Sequence, residues 1–179
     1  MNGSDQFHKD LVELCKKNNR TAQRELYNLF SKSMYNTSLR IVKNSMTAED
    51  IVHDAFIAAF TAIRQFKGEV PFAAWLRRIV INKSIDWLRR DRFVFSELQE
   101  STTPVDDNER ENLFEYAEKL ERVKQEVLNL PDGYRMIFSL YYLEGYDHDE
   151  IGQILGISAS TSRSQLARAK KLLLKNLRT

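Results

Sequence analysis

The sequence predicts an all-α protein: two small helical domains joined by an acidic, flexible linker, the second containing a helix-turn-helix. Three observations carry this prediction. Apolar residues recur at spacings of three and four nearly everywhere, while period-two alternation is scarce. The 179 residues hold only six glycines and three prolines, so helices are seldom interrupted. Residues 93–111, FVFSELQESTTPVDDNERE, break the periodicity with Ser, Thr, Pro and acidic side chains and read as a tether that cannot bury itself.

The periodic segments place helices at about 5–18, 20–43, 47–66 and 71–92 in the first domain, residues 1–92. Thr47 suits the N-cap of the third, with Asp50 at the capping-box position. Pro71 suits the first turn of the fourth, because its missing N–H would have no helical partner there. After the linker, helices are expected at 112–129, 132–143, 147–154 and 158–177, making a second domain of residues 112–179.

Charge is segregated along the chain. Residues 1–92 carry 16 basic and 10 acidic side chains, net +6. Residues 93–111 carry one and six, net −5, and residues 112–179 carry 10 and nine, with no acid after Glu150. Basic segments flanking an acidic one point to a polyanionic partner better than the overall charge of +2 does. Cys15 is the only cysteine, which excludes an intrachain disulfide and a cysteine-based zinc cluster. The opening MNGSDQFHKD has no basic stretch followed by an apolar run, and the longest apolar run, Ala55–Phe60, is far short of the ~20 residues of a membrane helix. A soluble, cytoplasmic protein without membrane insertion is expected.

The most specific motif is DEIGQILGISASTSRSQLARAKK, residues 149–171. Ile151, Leu155, Ile157 and Leu166 sit where two helices of a helix-turn-helix need apolar contacts. Gly152 allows close approach, Gly156 can adopt a left-handed turn, and Ser158 is a good N-cap. The helix that follows carries Arg163, Arg168, Lys170, Lys171, Lys175 and Arg178 and no acid. A helix in a major groove needs base-reading groups near its N-terminus and phosphate-binding groups on its flanks. Ser160, Thr161, Arg163, Ser164, Gln165, Arg168 and Lys171 are the candidates.

A second motif, WLRRIVINKSIDWLRRDR, mixes tryptophans, arginines and β-branched residues. On a helix, Phe72, Leu76, Ile79, Val80 and Trp87 share a face suited to the core. Trp75, Arg78, Asn82 and Arg89 fall on a neighbouring stripe. Aromatic, amide and guanidinium groups together suit an unpaired nucleic-acid strand, whose bases stack while cations meet phosphates. The preceding segment Phe66-Lys67-Gly68-Glu69-Val70 is short enough to approach a flipped base.

These two motifs resemble the two DNA-binding domains of bacterial RNA polymerase sigma factors. LPDGYRMIFSLYYLEGYDHDEIGQILGIS, followed by RSQLARAKKLL, resembles the domain that reads the −35 element as duplex. FKGEVPFAAWLRRIVINKSIDWLRRDR resembles the domain that captures the melted −10 element. There the resemblance implies a pocket for a flipped-out base at Phe66 to Phe72, with Asn82 at the family's helix asparagine. The short length and two-domain layout are similar to the extracytoplasmic-function class. Two positions depart from the pattern: Ser162 stands where a branched apolar residue is usual and should weaken packing of the recognition helix, and Gln165 stands where a basic residue is common.

The resemblance implies that the chain binds core RNA polymerase and promoter DNA, requires no cofactor and is not an enzyme; an anti-sigma factor is a further partner that the family commonly has. The helix TAEDIVHDAFIAAFTAIRQF is apolar around most of its circumference, leaving a narrow strip with Asp50, His53, Asp54 and Ile57. A lone isoleucine among acids suggests a protein contact, and the resemblance makes it a contact with a coiled coil of the polymerase clamp. Glu49, Asp50, His53 and Asp54 also have metal-ligand spacing, but no matching ligand set occurs elsewhere, so no metal is expected. The 19-residue linker, fully extended, spans at most roughly 65 Å. That just bridges promoter elements some 17 base pairs, or about 58 Å, apart. The alternative readings are a stand-alone helix-turn-helix regulator of duplex DNA, which leaves the Trp75–Arg92 stripe and the acidic-apolar strip without purpose, and a helical enzyme built on the 49–54 carboxylates, which lacks a phosphate loop and a completed metal set.

Overall fold

The computed structural model of the chain describes residues 3–91 and 113–178, so the acidic linker lies outside the described residues. Every regular element among them is helical. The chain divides into two compact units, Met1–Arg92 and Phe93–Thr179.

The first unit contains α1 (Gly3–Lys16), α2 (Arg20–Val42), α3 (Ser45–Ala62) and α4 (Phe72–Asp91). A 3₁₀ turn, Ile63–Gln65, ends α3. Helices α2, α3 and α4 pack on one another, with α1 against α2. On α3 the small residues Ala48, Ala55 and Ala59 are completely buried and let neighbouring helices approach, while Ile51, Val52 and Phe56 fill the space between. Helix α1 contributes Leu11, Val12 and Cys15 to the core. Its C-terminus is tied down by the Arg64 Nε–H, which donates to the Lys16 carbonyl at 3.4 Å.

Three local details differ from the sequence reading. Helix α3 is capped by Asn44, not Thr47: the Asn44 side chain accepts from the Thr47 N–H at 2.9 Å and the helix starts at Ser45. Lys43, left-handed at φ 60°, closes α2 and leaves Asn44 extended, so Asn44 reaches the free N–H groups first. Pro71 precedes α4, its carbonyl accepting the Ala74 and Trp75 N–H groups at 3.0 and 3.1 Å. Finally, Ile79 and Trp87 are only half-buried, whereas Ile81, Ile85 and Leu88 are buried. Helix α4 is wedged between α2 and α3, so it buries an arc wider than one apolar stripe.

A polar contact is buried inside that wedge. Ser84 Oγ donates to the Val80 carbonyl at 2.8 Å, which leaves the Ser38 hydroxyl to donate to Ser84 Oγ at 3.0 Å. Both serines are completely buried. A small residue on each helix allows close approach, and the hydroxyls satisfy each other.

The second unit contains α5 (Leu113–Asn129), α6 (Asp132–Phe138), a π-helical turn (Ser139–Leu143), α7 (His148–Leu155) and α8 (Ala159–Arg178). Val127, Leu130, Tyr134, Ala169 and Leu173 form one core cluster. Arg135, almost wholly buried, donates to the Leu130 carbonyl at 3.0 Å and pairs with Asp132 at 2.8 Å, joining the end of α5 to α6. A charge so deeply buried is stable only with such partners.

Two predictions follow from this packing. Ser84→Ala should cost about 1–2 kcal/mol by leaving the buried Ser38 hydroxyl without its acceptor, while Ser38→Ala/Ser84→Ala should cost no more than the single change. Urea unfolding followed by tryptophan fluorescence, which reports Trp75 and Trp87 in this unit, measures both; additive losses would contradict the pairing. Burial pushes the Cys15 thiol up from its ordinary value of 9.0 to about 11. The unfolded chain therefore ionises it first: its contribution to stability is full below about pH 9 and falls as pH rises towards 11. The same burial predicts slow alkylation of the native protein at pH 8 and fast alkylation after unfolding; fast native alkylation would contradict it.

Candidate nucleic-acid interfaces

In the second unit, α7 and α8 form the helix-turn-helix. Asp147 caps α7, accepting from the Asp149 and Glu150 N–H groups at 2.9 and 2.8 Å, while Glu150 accepts from the Asp147 N–H at 2.9 Å. Gly156 ends α7 at φ 72°, a left-handed conformation that glycine adopts without strain. The Gly156 and Ile157 N–H groups donate to the Gly152 carbonyl at 2.8 and 3.0 Å. A Cβ at Gly152 would lie 2.7 Å from the Ile157 carbonyl oxygen, so only glycine fits that close approach. Ser158 caps α8, accepting from the Thr161 N–H at 3.0 Å, and its hydroxyl pairs with that of Thr161 at 2.8 Å.

Helix α8 turns Ser162, Leu166, Ala169 and Leu173 inward. Ser160, Arg163, Ser164 and Arg168 are exposed on the outer side, with Thr161 and Lys171 half-buried at its margins. Ser164 Oγ donates back to the Thr161 carbonyl at 3.0 Å. Gln165 differs from its neighbours: its amide oxygen is buried and has no hydrogen-bond partner among the described residues. The structure thus groups six of the seven predicted residues on the outer side and its margins and turns the Gln165 carbonyl inward.

Ser162 is the position where weak packing was expected. It is completely buried, and its hydroxyl lies 2.9 Å from His148 Nδ1, at the start of α7. The His148 ring in turn stacks on Tyr141 of the π-helical turn, with centroids 4.8 Å apart and planes 24° apart. The sequence gives no periodic signal for such a polar link, since the two residues stand 14 positions apart.

In the first unit, Arg78, Asn82 and Arg89 are exposed along one stripe of α4, and Arg89 lies 3.8 Å from Asp86. Trp75 heads the stripe, half-buried against Phe66 at 5.0 Å and Phe72 at 5.8 Å. Phe66 and Phe72 are themselves buried and form the support of the tryptophan, not the surface beside it. Lys67 is exposed, and Gly68 takes φ 75° where the loop reverses. A cavity of about 520 Å³ lies between this loop and α1, lined by His8, Phe30, Phe66, Lys67 and Phe72 among others. Trp75 and Asn82 are not among its lining residues, so the loop has a cavity on the α1 side and the exposed α4 stripe separate from it.

Asp50, His53, Asp54 and Ile57 are all exposed along one strip of α3. Ile57 is 58% exposed, an apolar side chain held among acids. The His53 ring meets Tyr27 edge-on at 6.0 Å. Among the described residues, no group of three or more His, Cys, Asp or Glu side chains is placed to hold a metal ion, and no helix is long and apolar enough to cross a membrane.

Comparison with known proteins bears on both units. Residues 26–94 match the family model of Sigma-70 region 2, and residues 120–173 match that of Sigma-70, region 4. The ECF RNA polymerase sigma factor SigW of Bacillus subtilis is 29% identical over 95% of this chain and 96% of its own. The RNA polymerase sigma factor YlaC of the same organism is 30% identical over 86% of this chain and 90% of its own. Two solved structures share the fold at TM-score 0.56. CnrH in complex with the cytosolic domain of CnrY is 24% identical, covering 95% of this chain and 96% of that one. The sigma factor RpoE in complex with the anti-sigma factor NepR, from Bartonella quintana, is 18% identical, covering 87% and 96%. On these sequence matches the chain belongs to the RNA polymerase sigma factors of the extracytoplasmic-function class, transcription initiation factors that direct promoter-specific initiation.

Proposed function

We propose that the chain binds core RNA polymerase and divides promoter recognition between its two units, contributing no catalysis of its own. The observation that carries this reading is the contrast between two cationic surfaces. Helix α8 offers hydroxyls and cations on a convex helix face, which suits the edges and phosphates of a duplex major groove. Helix α4 offers Trp75, Arg78, Asn82 and Arg89, a set that gains most from unpaired bases. The first unit would then hold the melted −10 strand, with Lys67 at its phosphates, and the second the −35 duplex. Asp50, His53, Asp54 and Ile57 would meet the polymerase clamp, where an exposed isoleucine among acids gains from burial against a partner of complementary charge. An anti-sigma factor, such as RpoE has in NepR, is a natural regulator for a chain of this class acting in the cytoplasm.

Run-off transcription of fragmented bacterial genomic DNA, with core polymerase present and absent, tests the assignment. New discrete transcripts should require both proteins, and their start sites would define the two promoter elements. Specific duplex binding by the chain alone, without such transcripts, would make it a stand-alone regulator instead.

The division of labour predicts distinct variant phenotypes on the promoter so found. Arg163→Ala should weaken holoenzyme binding by about 1–3 kcal/mol and relax base preference within the −35 element. Lys171→Ala should weaken binding to all sequences alike and lower the salt slope by about one. Asn82→Ala should leave closed-complex binding near normal while reducing strand opening, measured by permanganate reactivity. Equal loss of closed-complex binding for Asn82→Ala would contradict its placement on the unpaired strand.

A further inference from the structure

We propose that His148 and Ser162 form a positioning pair that sets how the recognition helix is presented to duplex DNA, with Tyr141 holding the imidazole in place. The inference rests on the reading of α8 as the duplex-contacting helix. Beside the buried apolar face, two close contacts join α8 to α7. One is the turn, where Gly152 meets the Ile157 carbonyl. The other is the 2.9 Å contact of His148 Nδ1 with Ser162 Oγ at the far end of α7. The turn sets the angle between the two helices, and the bond at the start of α7 adds a directional restraint on the roll of α8.

Ser162 stands between Thr161 and Arg163, both base-contact candidates, and is buried on the inner side of α8 while Arg163 is exposed and Thr161 half-buried. Any roll of the helix that moves Ser162 moves those two side chains. An apolar side chain at this position would hold α8 by contact alone, which tolerates sliding. A hydrogen bond tolerates little, because it weakens steeply with angle and distance. His148 is in turn restrained: it is the first residue of α7, directly after the doubly bonded Asp147 cap, and its ring lies on Tyr141. The π-helical turn that presents Tyr141, a geometry often found at functional sites, is thereby joined to the base-reading end of α8.

Ser162 is completely buried, so whichever tautomer His148 adopts, the serine hydroxyl has the imidazole nitrogen as its partner across the helix pair. Loss of either side chain removes one directional link and leaves the other polar group half-satisfied.

The test is equilibrium binding of the holoenzyme to its promoter and to a copy with a scrambled −35 element. Ser162→Ala and His148→Ala should each reduce preference for the intact element by roughly two- to tenfold, the range of one net hydrogen bond. His148→Ala/Ser162→Ala should be no worse than the singles, and Ser162→Thr and His148→Asn, which keep a polar atom in place, should recover most of the loss. Additive singles, or conservative variants as poor as alanine, would overturn the pair. Proton and nitrogen-15 spectra of the intact chain give a readout that does not depend on any variant folding well. In the unaltered protein the proton shared by His148 Nδ1 and the buried Ser162 hydroxyl should be protected from exchange with solvent, whichever atom carries it; a shared proton exchanging as freely as that of an exposed imidazole would overturn the bond. Arg163→Ala separates the two readings. Loss of −35 preference there but not in the pair variants sinks the positioning pair alone, whereas no effect in any of them sinks the duplex assignment of α8 as well.

Discussion

The duplex recognition proposed for this chain depends on one close backbone approach. Gly152 comes near enough to the Ile157 carbonyl that a side chain would collide with it, and that approach fixes the angle between α7 and α8. Everything on α8 is aimed through this contact. The left-handed Gly156 makes the reversal, Ser158 caps the new helix, and Leu166 and Ala169 bury the inner face so that Ser160, Arg163, Ser164 and Arg168 stand outward. A base-reading helix is effective only when its side chains arrive in register with base edges, and register is set by the scaffold behind it.

The first unit meets a different requirement with the same kind of helix. Helix α4 must bury enough surface to be held between α2 and α3, yet still present an aromatic and cationic stripe. It does so by using the Ser38–Ser84 contact for close approach and by lending Trp75 partly to an aromatic group with Phe66 and Phe72. A tryptophan half-buried in this way is rigid on one side and available on the other, which lowers the entropy lost when a base stacks on it. The acidic strip on α3 is chemically opposite to the α4 stripe. One small helical unit thereby separates an aromatic and cationic stripe from an acidic one.

Much of this was legible in the sequence because it rests on local rules. The glycines at 152 and 156, the cap at Ser158, the absence of acids after Glu150 and the exposed Ile57 among acids are each readable from a few neighbouring residues. What was not legible depends on distant partners. Asn44 displaced Thr47 as the cap of α3 because the end of α2 controls the backbone there. Ile81, Ile85 and Leu88 are buried because two helices flank α4, and a single-face projection sees only one. Phe66 and Phe72 read from sequence as members of a base pocket, and only the packing shows that they also support Trp75. The bond between His148 and Ser162 is the clearest case. At Ser162 the expectation from sequence was weaker packing, and the fold supplies a histidine from the preceding helix.

As proposed, one chain reads an unpaired strand with α4 and a duplex with α8 inside the polymerase holoenzyme. Site-specific photo-crosslinking tests it most directly, with probes placed at positions 82 and 163 and the holoenzyme bound to its own promoter. The probe at 82 should reach a single strand near the start site only once the duplex has opened, while the probe at 163 should reach the upstream duplex before and after opening. Crosslinks from both positions to the same closed duplex, or none from position 82 in the open complex, would contradict it.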